Sequence, residues 1–194
     1  RNYFAPVVGQ IGQSPSRQID CLATLGRALG NKRSRLWSMK NGYALASEDG
    51  LKRVNRTIAG TNDVELDSLR ERLRIGLQWN TEVTLDNCGH FVTQAYCSAL
   101  PVAYSPHSPD QWEPFARLVL EATYEATLAA AVVNRARTGN GLVFLTLVGG
   151  GAFGNKVDWI LSAIERALRL FESHPLEVKV ISYGRPNPRL RGLF

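Results

Sequence analysis

The sequence predicts an α/β fold, a mixed and mostly parallel sheet with helices on both faces. Three observations point there. From residue 90 onward the pattern runs strand, helix, strand, helix, strand, and long helical crossovers usually join neighbouring parallel strands. The run GLVFLTLV (141–148) is continuously apolar, as a strand buried on both faces requires. The helical stretches flanking it carry apolar residues at three- and four-residue steps, the stripe of a helix laid on a sheet.

The elements follow in order. APVVGQIGQSPS (5–16) reads as loop, punctuated by Gly and Pro. Residues 16–31 read as a helix with Ile19, Leu22, Ala23, Leu25 and Leu29 on its apolar face, stopped by Gly30-Asn31. RLWSMKNGYALA (35–46) reads as an extended hairpin around Asn41-Gly42. Ser47 caps a short helix over 47–60, and a second covers 63–74 with Leu66, Leu69 and Leu73 on one face. Residues 75–85 and 90–102 alternate as strands. Residues 110–137 form one long amphipathic helix turning Trp112, Phe115, Val119, Ala122, Ala126, Ala129 and Val133 inward, with Pro114 in its first turn. A strand (141–148), a helix (155–172, with Val157, Ile160, Ile164, Ala167 and Phe171 inward) and a last strand (176–184) complete the chain.

A length of 194 residues suits one domain over 1–194. The chain opens on Arg1 rather than methionine, which leaves room for an upstream N-terminal part. Hydrophobic residues make up 44% and charged residues 21%, a globular and not a disordered balance. No apolar run is long enough to cross a bilayer, so no membrane partner is expected. Cys21, Cys88 and Cys97 are too few and too irregular for a disulfide framework, which predicts a reducing, cytoplasmic location. Cys88 and His90 lie close together without a second ligand pair, so no metal is expected. The net charge of +6 is uneven: residues 1–40 hold seven Lys/Arg against one acid, and 184–194 add three arginines. Basic ends of this kind attract anionic partners or simply keep a protein soluble.

The feature with chemistry in it is Gly149-Gly150-Gly151-Ala152-Phe153-Gly154, which leaves the end of an apolar strand and enters a helix at Asn155. Ligands of open α/β sheets bind at that end of the strands. Glycines let a backbone approach a phosphate, and a helix N-terminus supplies free amides and partial positive charge. Asn155 reads as the cap, with Asp158 completing a capping box. One glycine would serve a tight turn; four in six residues point to phosphate binding. The letters fit the dinucleotide fingerprint, but the next strand ends in Ile181-Ser182-Tyr183 without the required acid, and no further βαβ half follows. The P-loop fails as well, because no Gly-Lys-Ser/Thr occurs.

Over about residues 90–184 the succession SALPVAYS, FARLVLEATYEATLAAA, GLVFLTLVGGGAFGN and LEVKVISYG resembles the second half of a macrodomain, the ADP-ribose-binding fold. The resemblance implies a three-layer α/β/α architecture. It implies that Gly149, Gly150, Gly151, Ala152, Phe153 and Gly154 wrap a diphosphate and the distal ribose, with Phe153 against the sugar. The ligand expected is ADP-ribose or a related nucleotide, free or carried on an ADP-ribosylated macromolecule, with no further cofactor. The chain has no Asn-Ala-Ala-Asn strand end, no Gly-Asp-Ile/Val stretch and no triple-Gly with Gln-Glu-Glu signature, so no catalytic residue is assigned.

Two other activities stay open. One is hydrolysis of ADP-ribosyl bonds, with Asp110 or Glu113 as candidate acids. The other is nucleic-acid binding through RALGNKRSR and RPNPRLRG, ranked lower because no RNA-recognition signature accompanies them. His107 lies in a loop where a ligand could reach. Cys97 and Ser98 lack a visible base and read as core. Trp37, Trp79, Trp112 and Trp159 read as core or covering residues.

Overall fold

A 30-residue helix, α4 (Pro109–Thr138), forms the spine of the fold. The computed structural model describes residues 6–7, 10–11, 19–182 and 188–192. The other elements are β1 (Pro6–Val7), β2 (Gln10–Ile11), α1 (Ala23–Leu29), β3 (Trp37–Lys40), β4 (Tyr43–Ala46), α2 (Glu48–Ala59), α3 (Asp63–Arg70), β5 (Gly76–Glu82), β6 (Phe91–Tyr96), β7 (Leu142–Thr146), α5 (Val157–Leu170) and β8 (Glu177–Ile181). The content is mixed helix and strand, as the sequence predicts. The sheet is not.

Among the described residues the strands form four separate two-stranded sheets, and only β7–β8 is parallel. The pairs β1–β2, β3–β4 and β5–β6 are antiparallel hairpins. The expected mostly parallel sheet covered on both faces is therefore absent here. The physical reason lies in the connections. Residues 83–90 are too short for a crossover and return the chain beside itself through a 3-10 turn. Strand β7 buries only alternate residues, Val143 and Leu145, and leaves Phe144 60% exposed. An apolar run thus marks a strand without marking how many of its faces are covered.

Local chemistry explains most boundaries. Asn41 and Gly42 both take positive φ (52° and 83°), the conformation a two-residue hairpin turn needs. The Ser47 hydroxyl accepts from Gly50 N–H at 3.0 Å to cap α2, and Asn62 with Glu65 closes a capping box on α3. Helix α1 stops at Gly30 (φ 78°) as expected, but it starts only at Ala23. Asp20 Oδ1 accepts from Leu22 N–H and holds that stretch as a turn, leaving Ile19 72% exposed. The rest of the helix expected over 16–31, and Tyr183 to Gly184 of the last strand, lie outside the described residues.

Helix α3 ends at Arg70, so Leu73 reaches the core from the following turn. Pro114 sits in the second turn of α4 rather than the first, where its missing N–H costs one intrahelical bond. Along α4, Trp112, Phe115, Val119 and Ala122 are buried as expected, whereas Ala129 and Val133 are exposed; Leu128 and Ala130 beside Ala129 are buried, so Ala129 lies on the outward face of a helix that is still covered there.

The core gathers around α4. Trp112, Phe115, Tyr124 and Leu128 meet Trp159, Ile160 and Ile164 of α5, with Leu51 and Val54 of α2. Trp37 stacks obliquely on Phe115 at 5.0 Å. An ion-pair network ties three helices together: Asp67 and Arg70 of α3, Glu121 and Glu125 of α4, and Arg166 of α5. It includes Arg70–Glu121 at 2.7 Å and Arg166–Glu125 at 2.7 Å.

Burial holds the Glu125 carboxyl above the usual carboxylate range, outweighing Arg166 beside it. The folded state therefore keeps that proton to higher pH than the unfolded chain does. Glu125's contribution to stability falls as pH rises through the ordinary carboxylate range and levels off above the raised value. Glu125→Gln removes this titration. The stability of the parent minus that of the variant, from urea denaturation between pH 4 and 7, is expected to fall with rising pH. A difference that rises instead would show that pairing, not burial, dominates.

Candidate functional site

The glycine loop leaves β7 under tight control from below. Tyr124, buried in α4, donates its hydroxyl to the Thr146 carbonyl at 2.7 Å and accepts from Val148 N–H at 3.0 Å. One phenol thus fixes the backbone on both sides of the strand's end. Its burial pushes the hydroxyl well above its usual pKa, so it stays a neutral donor.

The four glycines then divide by what surrounds them. Gly149 has φ 78°, and a Cβ there would stand 2.3 Å from Ala99 Cβ. Gly154 has φ 71°, with Ala103 Cβ at 2.8 Å from the same kind of added atom. At Gly150 the nearest neighbour is Ile160 Cδ1 at 3.1 Å. These three glycines answer to turn geometry and packing, so their number alone is weaker evidence of a ligand than the sequence reading gives it. Gly151 is different. A Cβ there meets no atom within 4 Å.

Asn155 does not cap α5. The cap position is Lys156, and Asp158 makes an ion pair with Arg189 rather than half of a capping box. Asn155 turns inward instead and is buried. Its Nδ2 donates to the Leu100 carbonyl at 2.9 Å and to the Gly149 carbonyl at 3.3 Å, while its N–H donates to Gly149 O at 3.0 Å. The side chain thus locks the glycine loop to the segment after β6, and Ala103 N–H adds a second lock by donating to Phe153 O at 2.9 Å. Asn155 Oδ1 is buried without a partner.

Asn155→Asp would place an oxygen against two carbonyls where a donor now stands. It is expected to cost about 2–3 kcal/mol by the penalty for unmet buried polar groups, read as a lower urea midpoint. A loss no greater than that of a surface substitution would remove the lock.

Above these locks the loop presents backbone donors. Gly150 N–H goes to Leu147 O and Gly154 N–H to Gly151 O, but the N–H groups of Gly151, Ala152 and Phe153 find no acceptor among the described residues. Gly151 and Ala152 are exposed, and helix α5 begins a few residues on. Free amides beside a helix N-terminus are donors of the kind that anions meet. Lys156 adds positive charge at its edge, though it also pairs with Asp110 at 2.8 Å.

No family model, curated protein or solved structure matches the chain.

The site's remaining wall is aromatic. Phe153 meets Tyr43 of β4 at 5.8 Å and Tyr104 at 5.5 Å, and the two tyrosines meet each other at 5.4 Å, all edge to face. Tyr104 is 48% exposed. Neither tyrosine stands out in the sequence. Tyr104 follows β6 by a few residues within SALPVAYS, whereas no local pattern connects Tyr43 with Phe153. Tyr43 also borders a groove of about 450 Å³ that runs past Cys97, Ala99 and Leu100. The free amides lie outside that groove, across the Ala99–Gly149 contact.

Other candidate residues have structural employment. His107 approaches the Ala46 carbonyl through Nε2 at 3.2 Å and pins the loop to β4. Glu113 pairs with Arg117 at 2.7 Å. Burial pushes the Cys97 thiol up, away from the reactive thiolate, and Ser98 donates to the adjacent Ala99 carbonyl. Trp37, Trp112 and Trp159 are core, and Trp79 lies under Arg137 at 4.2 Å. Among the described residues no group of His, Cys, Asp or Glu could hold a metal ion, the three cysteines are free, and no helix is long and apolar enough to cross a membrane.

Proposed function

We propose that the chain binds ADP-ribose or a related nucleotide diphosphate at the glycine loop, in a macrodomain-like manner. The observation that carries the reading is the run of three unpaired amides at Gly151, Ala152 and Phe153, beside a glycine with open space over it. A diphosphate meets those donors and the positive end of α5. The sugar and base then lie against the rings of Phe153 and Tyr104, with Tyr43 behind them. Gly149, Gly150 and Gly154 shape the loop, and the Asn155 side chain locks it. The nucleotide is taken either free or at the end of an ADP-ribosylated macromolecule.

Hydrolysis is the second reading, and the geometry favours it less. Asp110 and Glu113, the candidate acids after SALPVAYS, are each engaged with a cation. Calorimetric titration with ADP-ribose tests the proposal. Saturation at about a hundred times the dissociation constant stabilises a protein by about 2.7 kcal/mol, so a rise in Tm accompanies the heat. Neither heat nor a Tm rise would sink the reading.

A further inference from the structure

Among the described residues, strands β6 and β7 each pair on one side only, β6 with β5 and β7 with β8. Their other edges border one groove of about 490 Å³ whose floor is α4. Backbone alternation fixes which groups face it. The His90 carbonyl accepts from Val83 N–H across the hairpin, so the backbones of Phe91, Thr93 and Ala95 turn the opposite way. The Gly141 carbonyl accepts from Glu177 N–H toward β8, so Leu142, Phe144 and Thr146 turn the opposite way on β7. Leu142 N–H is met by Asn140 Oδ1 and Thr146 O by Tyr124, which closes the two ends of that edge. Between them the backbone of Phe144 has no partner among the described residues, and neither have the outward amides of β6.

Two edges that border one groove and carry unpaired donors and acceptors are a template for a strand between them. The lining narrows its chemistry. Among the described residues no charged side chain lines the groove, and the floor is small or uncharged, with Thr127, Ala131 and Asn134. The edges are six and five residues long.

We infer that this groove takes an extended, uncharged segment of a partner polypeptide, about five residues of alternating apolar and polar type, as a strand completing one sheet from β5 to β8. This is strand addition between two edges rather than at one, so both must engage. Alternate apolar side chains face α4, on the side of Phe91 and of Thr93, whose hydroxyl donates to Asn134 Oδ1 at 2.7 Å, and the others join Phe144, which is 60% exposed. The inference is independent of the nucleotide reading, and its test uses no nucleotide.

The probe is a panel of end-capped hexapeptides alternating Thr or Ser with Val, Ile or Phe, read by amide hydrogen exchange. Binding is expected to slow exchange by about tenfold or more at Phe91, Thr93, Ala95 and Phe144 together, as closure of a local opening does. The β3–β4 hairpin is expected to be unaffected. Peptides methylated at every second amide are expected to fail. Ala131→Arg, on the half-buried floor, is expected to abolish the protection in a protein that still folds, with Tm read alongside because Ala131 also packs against the core. Failure of every peptide overturns the inference, as does protection of one strand alone. Slow exchange of these amides in the free monomer also overturns it, because the edges would then be closed already. So does protection that appears only with self-association, which would make a second copy the occupant.

Discussion

Among the described glycines, Gly50→Ala is expected to be the most destabilising methyl addition, costing about 3 kcal/mol or more, the upper range for overpacking. Gly50 lies in the first turn of α2, where a Cβ would stand 1.9 Å from the Leu36 carbonyl oxygen and 2.7 and 2.8 Å from Leu36 C and Cα. All three atoms are backbone, so no rotamer change relieves the clash. Either α2 withdraws or the chain ahead of β3 moves. Withdrawal uncovers Leu51 and Val54, each 1% exposed. It also strains the Ser47 cap and the bond from Ser47 N–H to the Leu36 carbonyl. Gly60→Ala is the control, since its nearest neighbours would stand at 3.4 and 3.8 Å. It is expected to stay within about 1 kcal/mol of the parent, with the lower entropy of the unfolded chain favouring the variant. Urea denaturation of all three proteins decides it. Equal midpoints for Gly50→Ala and the parent would mean that α2 is not seated on Leu36.

Gly151→Glu is expected to lower ADP-ribose affinity by about a hundredfold or more, equivalent to about 2.7 kcal/mol, while leaving the fold intact. A side chain fits there because nothing lies within 4 Å of its first carbon and φ is not positive. The glutamate puts a negative charge beside the three free amides, where it competes with the diphosphate for them and repels it. Gly149→Ala is the contrasting variant. Its positive φ and the Ala99 and Asn155 contacts predict a loss of stability as well as affinity. Calorimetry with ADP-ribose, alongside Tm for each variant, separates the two effects. Unchanged affinity in a folded Gly151→Glu protein would move the nucleotide away from this loop.

The sequence makes the elements legible where the signal is local. The Asn41-Gly42 turn, the Ser47 cap, the Gly30 stop and the long periodicity of α4 all depend on neighbours in the chain, and each element formed. Pairing is a property of residues far apart, and there the reading went astray. Between the strand-like runs at 75–85 and 90–102 the short connection marks a hairpin, but nothing local marks which other strands that hairpin pairs with. The apolar run of β7 does not reveal that Phe144 faces outward.

At the candidate site, the glycine loop is visible because it is contiguous. Its supports are not visible, because Tyr124, Leu100 and Tyr43 reach it from three other segments. Asn155 shows the same limit at one residue. An Asn before a helix reads as a cap on propensity, but the Leu100 carbonyl, 55 residues earlier in the chain, claims its amide.

The central position of α4 also bears on how the chain folds. This helix contacts α2 and α3, which precede it, and β7 and α5, which follow it. Neither half of the sequence can bury its apolar surface before the middle is in place. Helical turns form early and cheaply compared with strand pairing, so α4 with its first partners is the expected nucleus. Leu128→Ala, at a fully buried position of α4, is then expected to slow refolding far more than it speeds unfolding. Stopped-flow measurement of both rates tests this, and an effect confined to unfolding would place α4 late on the route.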